Sequence, residues 1–389
     1  MLTGEPVLVI GAGIAGLALA RALALRGAQV TVLEQAGAIR EVGAGIQLSP
    51  NGYRVLAALG LEESVREIGL AGEAVELIDG TGGGTVARLP LGSGAMRGLF
   101  RFFHRADLIA LLEAGAREAG AAIRLGVRVA EVHPGDAPAV VAATGERFEA
   151  RLVAGADGIH SRVREALIGR TAPFFTHQVA WRAVLPAEGP VAPVARVFMG
   201  PGRHVVTYPL RGGRLRNVVA VEERRRWAEE SWSLTDDALA LRVAFRDFPP
   251  EVRGWLERIE APNLWGLFRH PVPGRWWGPG LAILGDAAHP TLPFLAQGAN
   301  LALEDAWVLA ACLAGGPDRD AALAAYQARR RDRAVRVVEA ANRNARNYHL
   351  SGIRREVGHL GLRLASRMAP GLLLGRFGWL YGHDATAAD

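Results

Sequence analysis

Three groups of residues in this chain have the types and spacing to do chemistry. Gly11, Gly13 and Gly16 form a G-x-G-x-x-G pattern within VLVIGAGIAGLALARALALRGAQVTVLE, which ends on Glu34. The first glycine permits a tight turn, the second lets a pyrophosphate approach the backbone, and the third lets a helix pack closely on a strand. A helix starting there offers free N–H groups and partial positive charge to an anion. Glu34 would accept hydrogen bonds from an adenosine ribose and repel a 2′-phosphate, which disfavours NADP at this site. His204 and Tyr208 are four apart in RHVVTYPL and share one face of a strand. The imidazole is a candidate general base; the alternative is a hydrogen-bonded core histidine and a packing tyrosine. The third group is LGDAAHPTLPFLAQGANLALEDA, with Asp286, His289, two prolines and Gly298 between an apolar strand and a helix.

Two further turns belong with these. Arg105 opens a helix in HRADL, where the helix dipole opposes a cation, and a nearby anionic ligand would remove that penalty. Its alternative is a surface pair with Asp107. GADGIHSRVR carries Asp157 after an apolar strand, and its alternative is simple helix capping by Asp157 or Ser161.

The rest of the sequence must supply elements to hold these residues. At 389 residues, 50% hydrophobic and 22% charged, the chain is long for a single core and can bury a sizeable interior. PVLVIGAG, IAGLALARALALRG and AQVTVLEQ read as strand, helix and strand. REVGAGIQLSPNG leads into a helix over GYRVLAALGLEESVREIG; another spans FHRADLIALLEAGAREAG, followed by strand-like AIRLGVRVAEV and RLVAGADG. From Pro173 to about Trp265 short strands dominate, including ARVFMG, RHVVTYPL and RNVVAVE. The αβ pattern returns at LAILGD, and helices run on to RFGWLYGHD. The expected fold is α/β: a discontinuous Rossmann-like domain (1–72, 97–172, 271–318), an inserted sheet-rich α+β substrate domain (73–96, 173–270) and a C-terminal helical region (319–389).

All 45 basic residues are arginine and the formal charge is +6. They are spread among many acids, so EERRRWAEE and RRRDR are expected to be solvated helix faces, and no nucleic acid is expected as partner. No apolar run approaches the roughly 18 residues of a membrane helix, and no secretory pattern opens the chain. A cytoplasmic protein with no membrane partner and no metal is expected. The lone Cys312 reads as core filler.

The first βαβ unit does not separate FAD from NAD. GAGIAGLALA...LE, GADGIHSRVR and GDAAHPTLPFLAQGANLALEDA, however, occur in the order and spacing of the group A flavoprotein monooxygenases, and residues 7 to about 345 resemble that family. GAGIQLSPNG, HRADL and WLYGHDA resemble its branch containing 3-hydroxybenzoate 6-hydroxylase and 6-hydroxynicotinate 3-monooxygenase. The resemblance implies noncovalent FAD, NAD(P)H as a transient co-substrate, and O2. One oxygen atom would enter a small phenolic, acid-like aromatic substrate by way of a flavin hydroperoxide. The absence of a second G-x-G-x-x-G unit fits that family.

Residue by residue, the resemblance implies that Gly11, Gly13, Ala15, Gly16 and Glu34 hold the ADP half of FAD. Arg105 would reach its phosphate or ribityl region, Val129 would lie near the adenine, and Asp157 would serve the pyrophosphate region. Asp286 would accept a ribityl hydroxyl and Pro293 would border the ring. The backbone of Gly298, Ala299 and Asn300 would face the pyrimidine edge, where the helix dipole favours the reduced anion. Gln47, grouped with the cofactor residues, stands where the hydroxynicotinate branch has histidine, which counts against a pyridine substrate. Pro293 departs from the glutamine of the hydroxybenzoate branch. Trp181, Phe198 and Phe294 are expected to wall an apolar pocket between the lobes. His204 would be base or proton relay, Tyr208 would orient the substrate, and His289 would orient its loop. A flavin-dependent epoxidase or ring-opening oxygenase, and an NAD-dependent dehydrogenase, remain as alternatives; a homodimer is admitted.

Overall fold

Apolar runs from three distant parts of the chain assemble the first sheet. A computed structural model describes residues 2–39, 44–91, 96–224, 234–235, 237–369, 371 and 375–387. Its six-stranded sheet has the order Trp277–Gly278, Leu281–Ile283, Leu152–Gly155, Pro6–Ile10, Gln29–Leu33, Ala122–Arg124. Every pairing is parallel except the edge pair of 277–278 with 281–283. Parallel strands are covered on both faces, which explains their nearly unbroken apolar sequences. The helix Ile14–Ala24 packs against the helices Arg105–Glu118 and Gly298–Gly315. Its Leu17, Leu19 and Leu23 are fully buried, each worth about 1.5–3 kcal/mol in removal from water.

The second sheet has eight strands, in the order Leu234–Thr235, Asn263–Arg269, Phe174–Pro186, Leu215–Glu223, Arg203–Leu210, Val194–Gly200, Ala74–Asp79, Thr85–Pro90. Its pairings are antiparallel apart from 194–200 with 74–79. Side chains alternate between faces. One face packs against Phe245, Phe248, Val252 and Leu256 of the segment that carries the helices Ala238–Ala244 and Pro250–Glu257. The other turns toward the loops of the first sheet. The 30-residue helix Arg319–Tyr348 buries Ala334, Val337, Val338 and Ala341, and the helices Gly352–Met368 and Gly378–Tyr381 follow it. Cys312 is buried, and no helix among the described residues is long and apolar enough to cross a membrane.

Several sequence expectations need correction. Trp181 and Phe198 do not wall a pocket between the lobes. Trp181, Ala220, Val205 and Phe198 are register partners across neighbouring strands and lie on the face covered by Phe245 and Phe248. The helix expected over 52–69 is two, Pro50–Ala58 and Glu62–Ile68, because Gly60 takes a φ of +76° between them. AIRLGVRVAEV is likewise broken at Gly126 into Ala122–Arg124 and Val129–His133, which belong to different sheets. RRRDR is only in part a solvated face: Arg329 and Asp332 are exposed, but Arg330 is 1% exposed and the Arg333 side chain 11%. In EERRRWAEE, residues 225–230 lie outside the described residues.

Candidate active site

The turn after strand Pro6–Ile10 has the shape its glycines require. Gly11 has a φ of +101°, and a Cβ there would stand 2.6 Å from the Ala156 carbonyl oxygen. A Cβ on Gly16 would stand 1.9 Å from the Gly11 carbonyl oxygen. Neither position can carry a side chain. Gly13 differs, since nothing lies within 4 Å of its Cβ position, and it begins the helix Ile14–Ala24 without a side-chain cap. Open space beside a bare helix N-terminus is a cradle for a pyrophosphate. Glu34 sits at its mouth, accepting from the Ala12 N–H at 2.7 Å and the Ala36 N–H at 2.9 Å. The backbone of 124–127 hydrogen-bonds alongside Glu34 and leads to the buried Val129.

The distant loop meets this turn directly. Gly285 has a φ of +59°, and a Cβ on it would stand 3.0 Å from the Cβ of Ala15. Asp286 follows, crowded by protein yet open to the cleft. Burial raises its pKa, opposed by the charges of His289 and Arg105. Asp107 pairs with Arg211 at 2.7 Å. Beyond the single turn Pro293–Leu295, Ala296 adopts a left-handed φ of +53°, and the helix Gly298–Gly315 begins with no side-chain cap and open space at Gly298. Ala299 packs beside it on the main core. The Asn300 amide donates to the carbonyls of Gln47 (3.0 Å) and Ala296 (2.7 Å), and its oxygen accepts from the Ser49 N–H at 2.9 Å. Asn300 thereby fastens the loop to the strand Gly45–Leu48.

Beneath the loop lies a buried charged network. Asp305 holds His289 at 2.5 Å, the Gly285 N–H at 3.0 Å and Arg330 at 2.8 Å. Arg330 also meets Glu304 at 2.6 Å, and Glu304 accepts from Arg333 and Asn51 at 2.7 Å each. Asn51 donates to Gln297, which donates to Ser49. Burial opposes the charge on Glu304, but Arg330 and Arg333 outweigh it and hold the pKa at about 2. Burial likewise opposes Asp305, and His289 and Arg330 keep it well below the usual carboxylate range. His289 is raised, because Asp305 overcomes its burial. His289 thus orients the loop from below.

Asp157 is turned to its own helix. Its carboxylate accepts from the Ser161 hydroxyl (2.5 Å) and the Arg162 (2.7 Å) and Val163 (3.3 Å) N–H groups, while Ser161 caps the Arg164 N–H. These are the capping bonds of the helix Arg162–Ile168. Arg164 in turn donates to the Ala287 carbonyl at 3.2 Å, linking this turn to the late loop.

Two cavities meet at Pro293. One is lined by Arg182, Trp265, Asp286, Pro290 and Leu292. The other is lined by Gln47, Val206, Phe294, Leu295, Asn344 and Tyr348, with aliphatic and aromatic side chains around them. Phe294 is therefore a wall, as expected. Arg182 escaped the sequence reading. It lies 4.2 Å over the Trp265 ring and has no carboxylate partner among the described residues; burial lowers its pKa to about 10 beside Tyr208 and Arg105. Its signal was an arginine adjacent to a buried tryptophan on an alternating strand, which puts it on the opposite, cleft-facing side.

His204 and Tyr208 do share a sheet face, but neither lines either cavity. His204 is 1% exposed, with its ring centroid 5.3 Å from that of Phe294 and 5.2 Å from that of Tyr348. Burial, reinforced by His349, holds its imidazole well below the usual range. Tyr208 packs 5.3 Å from Phe102 behind Gly45, and burial raises its phenol. Tyr208 is thus not placed to touch the contents of the aromatic cavity.

Residues 5–341 match the family model described as FAD binding domain. The chain belongs to that family. The 3-amino-4-hydroxybenzoate 2-monooxygenase of Streptomyces cremeus is 38% identical, covering 98% of this chain and 96% of the relative. The 3-hydroxybenzoate 6-hydroxylase of Polaromonas naphthalenivorans is 35% identical, with 97% and 96% covered. Klebsiella pneumoniae HpxO complexed with FAD and uric acid superimposes with a TM-score of 0.82 at 26% identity, covering 95% of each chain. A salicylate hydroxylase substrate complex shares the fold, with a TM-score of 0.82, 24% identity and 98% and 96% covered. The chain is an FAD-dependent aromatic monooxygenase with the expected α/β fold and NAD(P)H as co-substrate. The relatives do not favour the epoxidase and dehydrogenase alternatives. The residues fit FAD: the helix N-termini at Gly13 and Gly298 are bare with open space beside them, Glu34 stands at the first of them, and the charge of Arg105 reaches Asp286.

Proposed function

We propose that this monooxygenase hydroxylates a small phenolic acid of the hydroxybenzoate kind. The observation that carries the reading is the apolar cavity meeting the cofactor loop at Pro293 and Phe294, with Gln47, Asn344, Tyr348 and Tyr381 as its polar side chains. Its relatives act on 3-amino-4-hydroxybenzoate and 3-hydroxybenzoate, molecules of one ring with an ionisable phenol. Bound FAD, once reduced, supplies the electrophilic oxygen from O2.

The chain's own residues do the rest. Gly11, Gly13, Ala15, Gly16, Glu34 and Val129 hold the adenosine and pyrophosphate half of the cofactor, and Asp157 keeps its turn in shape. Arg105 and Arg182 bring positive charge to the cleft and Asp286 accepts a hydroxyl. The N–H groups opening the helix at Gly298, Ala299 and Asn300 stabilise negative charge on the ring. Apolar walls exclude water, which matters because water diverts such oxygen chemistry to peroxide. His204, behind the cavity wall of Phe294 and Tyr348, takes up the phenolic proton through one water. Tyr208 has a positioning role, backing the strand whose Gln47 side chain meets the substrate. The domain division 1–72, 97–172 and 271–318 around 73–96 and 173–270 gives each lobe one wall of the cleft.

FAD-loaded protein should oxidise NADH or NADPH severalfold faster with 3-amino-4-hydroxybenzoate or 3-hydroxybenzoate present than without, while 6-hydroxynicotinate has little effect. Unstimulated oxidation across a panel of phenolic acids would contradict the reading.

A further inference from the structure

Behind the aromatic cavity runs a chain of three titratable side chains. The Nδ1 of His204 lies 2.7 Å from the Nε2 of His349, and the Nδ1 of His349 lies 2.7 Å from a carboxylate oxygen of Glu223. The chain begins in the interior and ends outside: His204 is 1% exposed, the side chain of His349 is 2% exposed and that of Glu223 51%. His349 closes the helix Arg319–Tyr348, and its carbonyl accepts from the Gly202 N–H, so the helix end is fixed to the turn between the strands carrying Phe198 and His204. None of these positions belongs to the cofactor cradle.

The tautomers follow from the acceptor at the end. A carboxylate only accepts, so His349 donates through Nδ1; its Nε2 then accepts, and His204 donates through Nδ1. The Nε2 of His204 is left with a lone pair, on the ring that touches Phe294 and Tyr348, both cavity walls. We propose that His204, His349 and Glu223 form a proton path from the aromatic cavity to the surface. The proposal rests on the cavity being the site of phenol hydroxylation.

The step balances without a charged intermediate ring. A phenolic proton, arriving through one water because His204 stands behind the wall of Phe294 and Tyr348, binds the Nε2 of His204. The Nδ1 proton of His204 passes to the Nε2 of His349, and the Nδ1 proton of His349 passes to the Glu223 carboxylate. One proton leaves the phenol, one reaches Glu223, and both imidazoles end neutral with their tautomers reversed. Reprotonation of the product along the same path restores them. The low proton affinity of the buried His204 agrees with this, since it would transmit a proton better than keep one. Around Glu223, Glu222 pairs with Arg224, and Arg203 pairs with Asp247. His349 is a relay residue here, and Glu223 a terminal acceptor.

The test uses oxidised, FAD-loaded protein mixed with 3-amino-4-hydroxybenzoate or 3-hydroxybenzoate in weak buffer. A pH-indicator dye reports proton release, and the flavin absorption band reports binding. Glu223→Gln keeps the hydrogen bond from His349 but is a far poorer proton acceptor, so release should slow at least about tenfold, an order below the roughly hundredfold minimum that positioned acid–base groups contribute. The dissociation constant should stay within about twofold, and Glu223→Asp should restore release. His349→Gln should behave like Glu223→Gln. If both variants release protons at the wild-type rate while His204→Ala does not, the path is overturned and His204 remains the base. Wild-type protein that binds a probe yet releases no proton also overturns the path, leaving the hydroxylation reading standing. Protein whose flavin band responds to neither probe overturns both.

Discussion

Arg330→Ala is expected to destabilise the protein by about 3–5 kcal/mol, the usual cost of stripping one partner from a buried ion pair. Arg330 is the cation between two fully buried carboxylates, Glu304 and Asp305. Asp305 also receives His289 and the Gly285 N–H, so the loss reaches the turn that presents Asp286. Arg331→Ala, one residue along, removes a contact with the exposed Asp332 and a part-buried hydrogen bond to the Pro273 carbonyl, and should cost about 1 kcal/mol or less. Denaturant unfolding of both variants makes the comparison, and a loss below about 1 kcal/mol for Arg330→Ala would contradict the network's role.

The same network sets a pH dependence. The depressed carboxylates of Glu304, at about 2, and Asp305 stabilise the fold fully above about pH 5, and that stability is lost as pH falls through their folded values. His289 is shifted upward, so its contribution is complete below about pH 6.5 and is lost as pH rises through its folded value. Wild-type protein should therefore lose stability on acidification, and Arg330→Ala should lose less over that range.

Gly13→Val is the second large effect, and it separates cofactor binding from folding. The backbone at Gly13 is extended and its Cβ position is empty to 4 Å, so the chain should fold with a wild-type melting profile. The new side chain would occupy the cradle where the pyrophosphate must approach. Overpacking of about 1–3 kcal/mol corresponds to a roughly 5- to 150-fold weaker FAD complex, read by fluorescence titration of apoprotein. Gly16→Val, whose Cβ would overlap the Gly11 carbonyl, should instead lower the yield of folded protein. Undiminished FAD affinity in Gly13→Val would place the cofactor elsewhere.

The nucleotide turn was legible because Gly11, Gly13 and Gly16 act through local backbone geometry, which a short spacing encodes. The late loop was legible for the same reason: Gly285, Asp286, Pro293 and Gly298 fall on consecutive turns. Trp181 and Phe198 failed because aromatic character does not tell which side of a pleated sheet faces helices, and only register with Val205 and Ala220 decides it. Arg330 was hidden by its basic neighbours, although the apolar stripe through Ala334, Val337 and Ala341, carried back one turn from Ala334, reaches it. Arg182 failed for the opposite reason, masked by the tryptophan beside it. His349 and Glu223 lie 126 residues apart, and nothing local to NYHL or AVEE connects them. Pairings of that kind are made by the packing of a helix end against a sheet turn.

Isotope tracing with 18O2 tests the hydroxylation most directly. FAD-loaded protein turning over 3-amino-4-hydroxybenzoate or 3-hydroxybenzoate with NADH or NADPH should yield a hydroxylated product carrying one 18O atom, with peroxide as a minor product. Reductant consumed with all of the oxygen recovered as peroxide, or a product whose new oxygen comes from water, would contradict an aromatic monooxygenase working in this cleft.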